Sequence, residues 1–143
     1  MLGWDWGPYL PDTGIWRDVY LIVENSAQIT DISIKQRHSE GRVFITPIVE
    51  TDAETEVCVT LISPDGKETV ITANEEYEVV NPLLWYPHGL GEQPLYTVRA
   101  QIIENGEAVD VAERRIGLRT LKLVREKDKW GESFAHECNG IRF

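Results

Sequence analysis

Apolar and polar residues alternate along most of this chain, in short runs separated by turn-forming residues. The alternation has the two-residue period of half-buried strands, and no stretch carries a helical period. Val19, Leu21 and Val23 share one face of a first run, and Ile32 and Ile34 share a face of a second. Val43, Ile45 and Val49 follow, with Pro47 inside the run, where a missing N–H predicts an edge strand or a bulge. Val57, Val59 and Leu61 form the next run, which stops at Ser63-Pro64-Asp65-Gly66. Proline presets φ and glycine accepts positive φ, so this stretch predicts a tight turn. A short strand carrying Val70 and Thr72 comes after it. Tyr96, Val98, Ala100 and Ile102 alternate most cleanly, Glu104-Asn105-Gly106 predicts a hairpin turn, and Val109 and Val111 return from it. Leu121 to Val124 and Ser133 to Cys138 predict a last pair of strands, joined by the polar stretch Lys127-Asp128-Lys129-Trp130-Gly131.

Strands at this spacing predict an all-β chain: an immunoglobulin-like antiparallel β-sandwich over residues 25–118, with extra strands and loops at both ends. The cysteine–tryptophan–cysteine pattern of antibody domains is missing, so the likeness is one of architecture. The start within a dense loop, and a close just after the turn Asn139-Gly140, lead us to expect a piece of a longer protein. An orphan strand at residues 16–23 would then dock on the sandwich or self-associate with another copy.

Composition narrows the partners. The 143 residues carry 14 Lys and Arg against 24 Asp and Glu, a formal charge of −10. Nucleic acid and anionic membranes both need a basic face, so neither is expected as a partner. No apolar run is long enough to span a membrane. A chain of this length can bury a core without a metal or a disulfide. Cys58 and Cys138 lie far apart with no CxxC spacing, and are expected to be reduced, mostly buried thiols.

Catalytic chemistry is hard to find. His38, His88 and His136 are scattered with no ligand spacing, so no metal and no cofactor are expected. There is no GxSxG elbow. Gly89-Leu90-Gly91 precedes a strand rather than a helix, which argues against a phosphate loop. Asn74-Glu75 lies between strands and reads as a solvated turn. The dense loop is different: Trp4, Asp5, Trp6 and Trp16 surround Pro8 and Pro11. Pyranose C–H faces stack on indole, and a carboxylate accepts hydrogen bonds from hydroxyls, so one reading is a sugar site. The other is a rigid plug packed against a neighbouring domain.

Several stretches together resemble glycoside hydrolase family 2 β-mannosidases. They are Gly3-Trp4-Asp5-Trp6-Gly7-Pro8 with Leu10-Pro11 and Gly14-Ile15-Trp16-Arg17; Leu84-Trp85-Tyr86-Pro87-His88-Gly89-Leu90-Gly91 through Tyr96; Arg115-Ile116-Gly117-Leu118-Arg119-Thr120; and Leu123-Val124-Arg125-Glu126 through Asn139-Gly140. They span the chain in the family's order. The resemblance implies that residues 1–24 are the last loop and strand of a jelly-roll domain, 25–118 the sandwich, and 119–143 the opening hairpin of a (β/α)8 barrel. Both catalytic glutamates would lie in that barrel, so none is expected here. The implied parent is a retaining enzyme releasing terminal β-linked mannose from β-mannoside oligosaccharides. In it Asp5 would accept hydrogen bonds from the sugar, and Trp4 and Trp6 would wall the pocket. Trp16 and Arg17 are assigned to packing, and Trp85, Tyr86 and Pro87 to the sandwich and its interface. The chain's own barrel and jelly roll would be its partners, in the cytoplasm of a bacterium or the lysosome of an animal. The alternatives are a carbohydrate-binding or interaction module of sandwich fold, or a fragment of a related family 2 exo-glycosidase, an exo-glucosaminidase or a β-galactosidase-like enzyme.

Overall fold

The structure is a computed structural model and describes residues 6–9, 13–21 and 26–143. Among the described residues ten strands follow in order: β1 (Ile29–Ser39), β2 (Arg42–Thr51), β3 (Val57–Ile62), β4 (Glu68–Ile71), β5 (Tyr77–Val79), β6 (Tyr96–Glu104), β7 (Glu107–Ile116), β8 (Leu121–Val124), β9 (Ala135–Cys138) and β10 (Ile141–Arg142). They form three antiparallel sheets, ordered β1-β2-β5, β4-β3-β6-β7 and β10-β9-β8. The first two face each other as a seven-stranded immunoglobulin-like sandwich. The third is a small sheet beyond it.

The turns follow from backbone chemistry. Glu40-Gly41, Asn105-Gly106 and Asn139-Gly140 all join consecutive strands with both central residues at positive φ, as a two-residue hairpin requires. At the β3–β4 turn the Gly66 amide donates to Ser63 O at 2.9 Å and the Ser63 hydroxyl to the Asp65 carboxylate, which holds Asp65 below its ordinary pKa.

The core takes one residue in two from each sheet. Ile32, Val43, Ile45 and Val79 meet Val59, Leu61, Ile71, Tyr96, Val98 and Ala100. All four residues of the Tyr96 to Ile102 alternation are buried. Tyr96 opens β6 with its ring in the core, and its hydroxyl accepts a bond from the Leu83 amide at 3.0 Å. The bond ties the Leu83–Leu84 loop to the core. On the opposite edge, side chains of β7 seal the seam between the sheets. Asp110 accepts from the Ile29 amide at 2.7 Å, and Arg114 Nε donates to Ile32 O at 3.1 Å.

Five details differ from the sequence reading. First, residues 19–21 form no strand: Val19 is 78% and Leu21 92% exposed, so this segment does not dock on the sandwich, and Val23 lies outside the described residues. Among the described residues no strand pairs with it, and a lone strand is unstable in water. Second, β4 buries Ile71, while Val70 is exposed and Thr72 lies past its end. Third, Val109 and Val111 are on β7 but exposed; Ala112 and Ile116 pack on the core, and a register shift at Ile102/Ile103 separates Val109 from that pattern. Fourth, β5 was not foreseen, being only 3 residues long. Fifth, Pro47 lies on neither an edge strand nor a bulge: β2 is the central strand of its sheet, and the proline is accommodated because β5 pairs with β2 only over Val43 to Ile45, leaving Pro47 with a strand on one flank alone.

Candidate functional site

The aromatic loop is only partly described. Trp4 and Asp5 lie outside the described residues, so their expected roles find no geometry here. Trp6 is 83% exposed and Trp16 81%, the latter under the Arg17 guanidinium at 4.3 Å. The described part of the loop therefore presents aromatic surface.

The chain's distinctive stretches converge instead where the sandwich meets the β8–β10 sheet. Trp85 is the pivot. Its amide donates to Leu118 O at 2.9 Å, and Leu84 and Leu118 form an isolated parallel bridge. Its carbonyl accepts from Asn139 Nδ2 at 3.0 Å, with Cys138 Sγ at 3.8 Å. The indole lies directly on the backbone of Gly117, where an added Cβ would sit 2.7 Å from the ring carbon Cγ. Only glycine allows that approach. The Arg119 guanidinium caps the ring from 4.6 Å. Cation–π attraction strengthens as the pair is desolvated, and Trp85 and Arg119 are both half-buried.

Two polar side chains lock the chain around this pivot. Gln36 faces inward on β1; its Nε2 donates to Gly117 O at 3.2 Å and its Oε1 accepts from the Arg119 amide at 3.1 Å. Asn139 Oδ1 accepts from the Thr120 amide at 2.8 Å, and its own amide donates to Thr120 O at 3.1 Å. His38 Nε2 adds a third contact to Gln36 Oε1 at 3.2 Å, and burial pushes the His38 pKa below its ordinary value. Burial likewise raises the Cys138 thiol, so it is not a poised nucleophile. Cys58 and Cys138 are both free. Trp85, assigned from the sequence to the sandwich and its interface, sits where the sandwich meets the β8–β10 sheet. The neighbouring Tyr86 amide donates to Glu92 O at 2.9 Å, and its ring covers Gly91. The bridging roles of the Gln36 and Asn139 side chains were not foreseen; a glutamine at an inward strand position and the Asn139-Gly140 turn after a strand are the only signals the sequence offers for them.

The β8–β10 sheet has two unlike faces. Leu121, Leu123, His136 and Ile141 share one with the rings of Phe134 and Phe143, which flank His136 at 5.5 and 5.9 Å. Lys122, Glu137 and Arg142 occupy the other. On the apolar face Phe134 is 69% exposed and Leu123 51%.

Among the described residues no group of three or more His, Cys, Asp or Glu gathers as a metal site. Two hollows flank the Asn81–Leu83 loop, of about 510 and 570 Å³, and each has a single carboxylate in its lining, Asp65 or Glu40. No helix of the described residues is long and apolar enough to cross a membrane.

Comparison with known proteins agrees with the geometry. Beta-mannosidase B of Neosartorya fischeri is 34% identical over 97% of this chain, and that of Aspergillus oryzae 35% identical over 97%. In both, the chain spans 18% of the relative's length. Among solved structures, a β-glucuronidase from Ruminococcus gnavus in complex with D-glucuronic acid matches with a TM-score of 0.62 at 20% identity. That match covers 81% of this chain and 19% of the other, and it shows the fold. The sequence profile of the Glycosyl hydrolases family 2 matches residues 23–119, and the chain belongs to that family.

Proposed function

We propose that this chain is the non-catalytic, sandwich-centred part of a longer β-mannosidase, a retaining glycoside hydrolase that releases terminal β-linked mannose. The observation that carries the reading is similarity to proteins named beta-mannosidase B along 97% of the chain. Those relatives are more than five times as long, since the chain spans 18% of them. Retaining hydrolysis uses two carboxyl groups roughly 5 Å apart. This reading assigns that pair to the barrel rather than to this chain.

In this reading residues 1–24 close a preceding jelly-roll domain, 25–118 are a scaffold, and 119–143 open the catalytic barrel. Two features of the structure support the division. The Trp85–Gly117–Asn139 junction falls at the proposed second boundary. The apolar face of the β8–β10 sheet, with Phe134, Leu123 and Phe143 uncovered, is the face such a barrel would bury. Asp5, Trp4 and Trp6 then belong to a loop reaching the sugar, with Asp5 accepting hydroxyl hydrogen bonds.

The test is hydrolysis of a chromogenic β-mannoside by the longer protein, wild type beside Asp5→Ala. A charged hydrogen bond is worth up to about 3 kcal/mol, so the variant should lose about a hundredfold in kcat/KM. An unchanged rate in a folded variant would make the loop an interdomain plug.

A further inference from the structure

Two Asn-Gly turns in this chain share one backbone shape and differ in what their side chains do. Asn105 and Gly106 have φ of 52° and 84°, and Asn139 and Gly140 have 50° and 84°. Asn105 is exposed at the tip of the β6–β7 hairpin. Asn139 turns its amide toward the sandwich, and both ends of that amide are engaged. Nδ2 donates to the carbonyl of Trp85 at 3.0 Å, and Oδ1 accepts from the amide of Thr120 at 2.8 Å. A turn needs positive φ at this position, which glycine would supply as well. The bridging amide is therefore in excess of what the turn requires.

The placement of that amide is telling. The carbonyl of Trp85 belongs to the sandwich, and its N–H is already committed to Leu118. Thr120 lies between the sandwich and β8. One planar amide thus joins the loop before β6, the connection after β7 and the β9–β10 turn. Among the described residues, apart from the chain itself and the weak contact of Cys138 Sγ at 3.8 Å, the Asn139–Trp85 bond is the polar link from the small sheet to Trp85.

We infer that Asn139 is a positioning residue. It holds the β8–β10 sheet at a fixed angle to the sandwich, and through that sheet it orients the polypeptide that follows in the longer protein. The effect on catalysis rests on the glycosidase reading; the effect on the angle does not.

Asn139→Asp keeps the shape and the acceptor for Thr120, removes the donor, and sets a carboxylate against the Trp85 carbonyl. Asn139→Gly keeps the positive φ and removes the bridge. Asn105→Asp is the control. Residual dipolar couplings on the 143-residue chain read the angle. Wild type and Asn105→Asp should fit sandwich and small sheet to one alignment tensor. Both Asn139 variants should need two, with the sandwich shifts intact. In the longer protein both should lower kcat for a β-mannoside about tenfold with little change in KM. Retention of one tensor in Asn139→Gly would overturn the inference, since the turn alone would then set the angle. A second tensor with unchanged kcat would overturn the positioning role. A wild-type longer protein that leaves β-mannosides intact would instead sink the glycosidase reading and leave the angle standing.

Discussion

Arg17 lies 4.3 Å from the ring of Trp16, and Arg119 lies 4.6 Å from the ring of Trp85. By ring distance the two pairs are equivalent, yet their surroundings are opposite. Trp16 is 81% exposed, in a segment where Val19, Tyr20 and Leu21 are also uncovered. Trp85 has its backbone bonded on both sides, its ring on Gly117, and Gln36 and Asn139 holding the chain around it. A stacked arginine does not fix a tryptophan in place. What fixes it is a set of backbone partners arriving from other parts of the chain, and a glycine that lets the ring come close.

The contrast can be broken or sharpened in several ways. Hydrogen exchange should show the largest effect. The Trp85 amide, bonded to Leu118 O, should exchange only through global opening, while the amides of residues 18–21 should exchange almost freely. Given ordinary domain stability, protection should differ by about a thousandfold or more, and comparable rates would erase the distinction.

Alanine at the two glycines comes next. Gly117→Ala places its methyl 2.7 Å from the Trp85 ring, whereas a Cβ on Gly14, two residues before Trp16, meets nothing within 4 Å. Overpacking of this kind costs about 1–3 kcal/mol, so Gly117→Ala should lower the unfolding free energy by that amount and Gly14→Ala should leave it unchanged. Urea titration measures both.

The smallest effect is a pH slope. Burial lowers the pKa of His38, so the unfolded chain binds that proton more readily than the folded one. The stability His38 contributes is complete above the unfolded value, about 6.5, and is lost as the pH falls through the folded value. A His38→Gln variant should show a flatter stability profile below about pH 6.5. An unaltered slope would place the titration elsewhere.

How much of this was legible in the sequence varies by region for physical reasons. Residues 96–102 were legible because a strand buried on one face must alternate, and all four apolar positions are indeed buried. At β4 the alternation misled, because Val70 and Ile71 are both apolar in a 4-residue edge strand, and only packing decides which one turns inward. Val109 and Val111 misled in the same way on β7, whose outer face tolerates valines. The segment at Val19 to Leu21 has strand chemistry, but a strand also needs a neighbour. The junction was legible in its parts and not in its assembly. Trp85, Gly117 and Asn139 each stood out in a motif, but Asn139 meets Trp85 across 54 residues of chain, which no local pattern encodes.

The central claim is that this chain supplies position and leaves the chemistry to the rest of a β-mannosidase. The direct test is the hydrolysis of a chromogenic β-mannoside by the 143-residue chain beside the longer protein at equal concentration. We predict steady turnover by the longer protein and none above buffer by the chain. Turnover by the chain alone, or none by the longer protein, would contradict it.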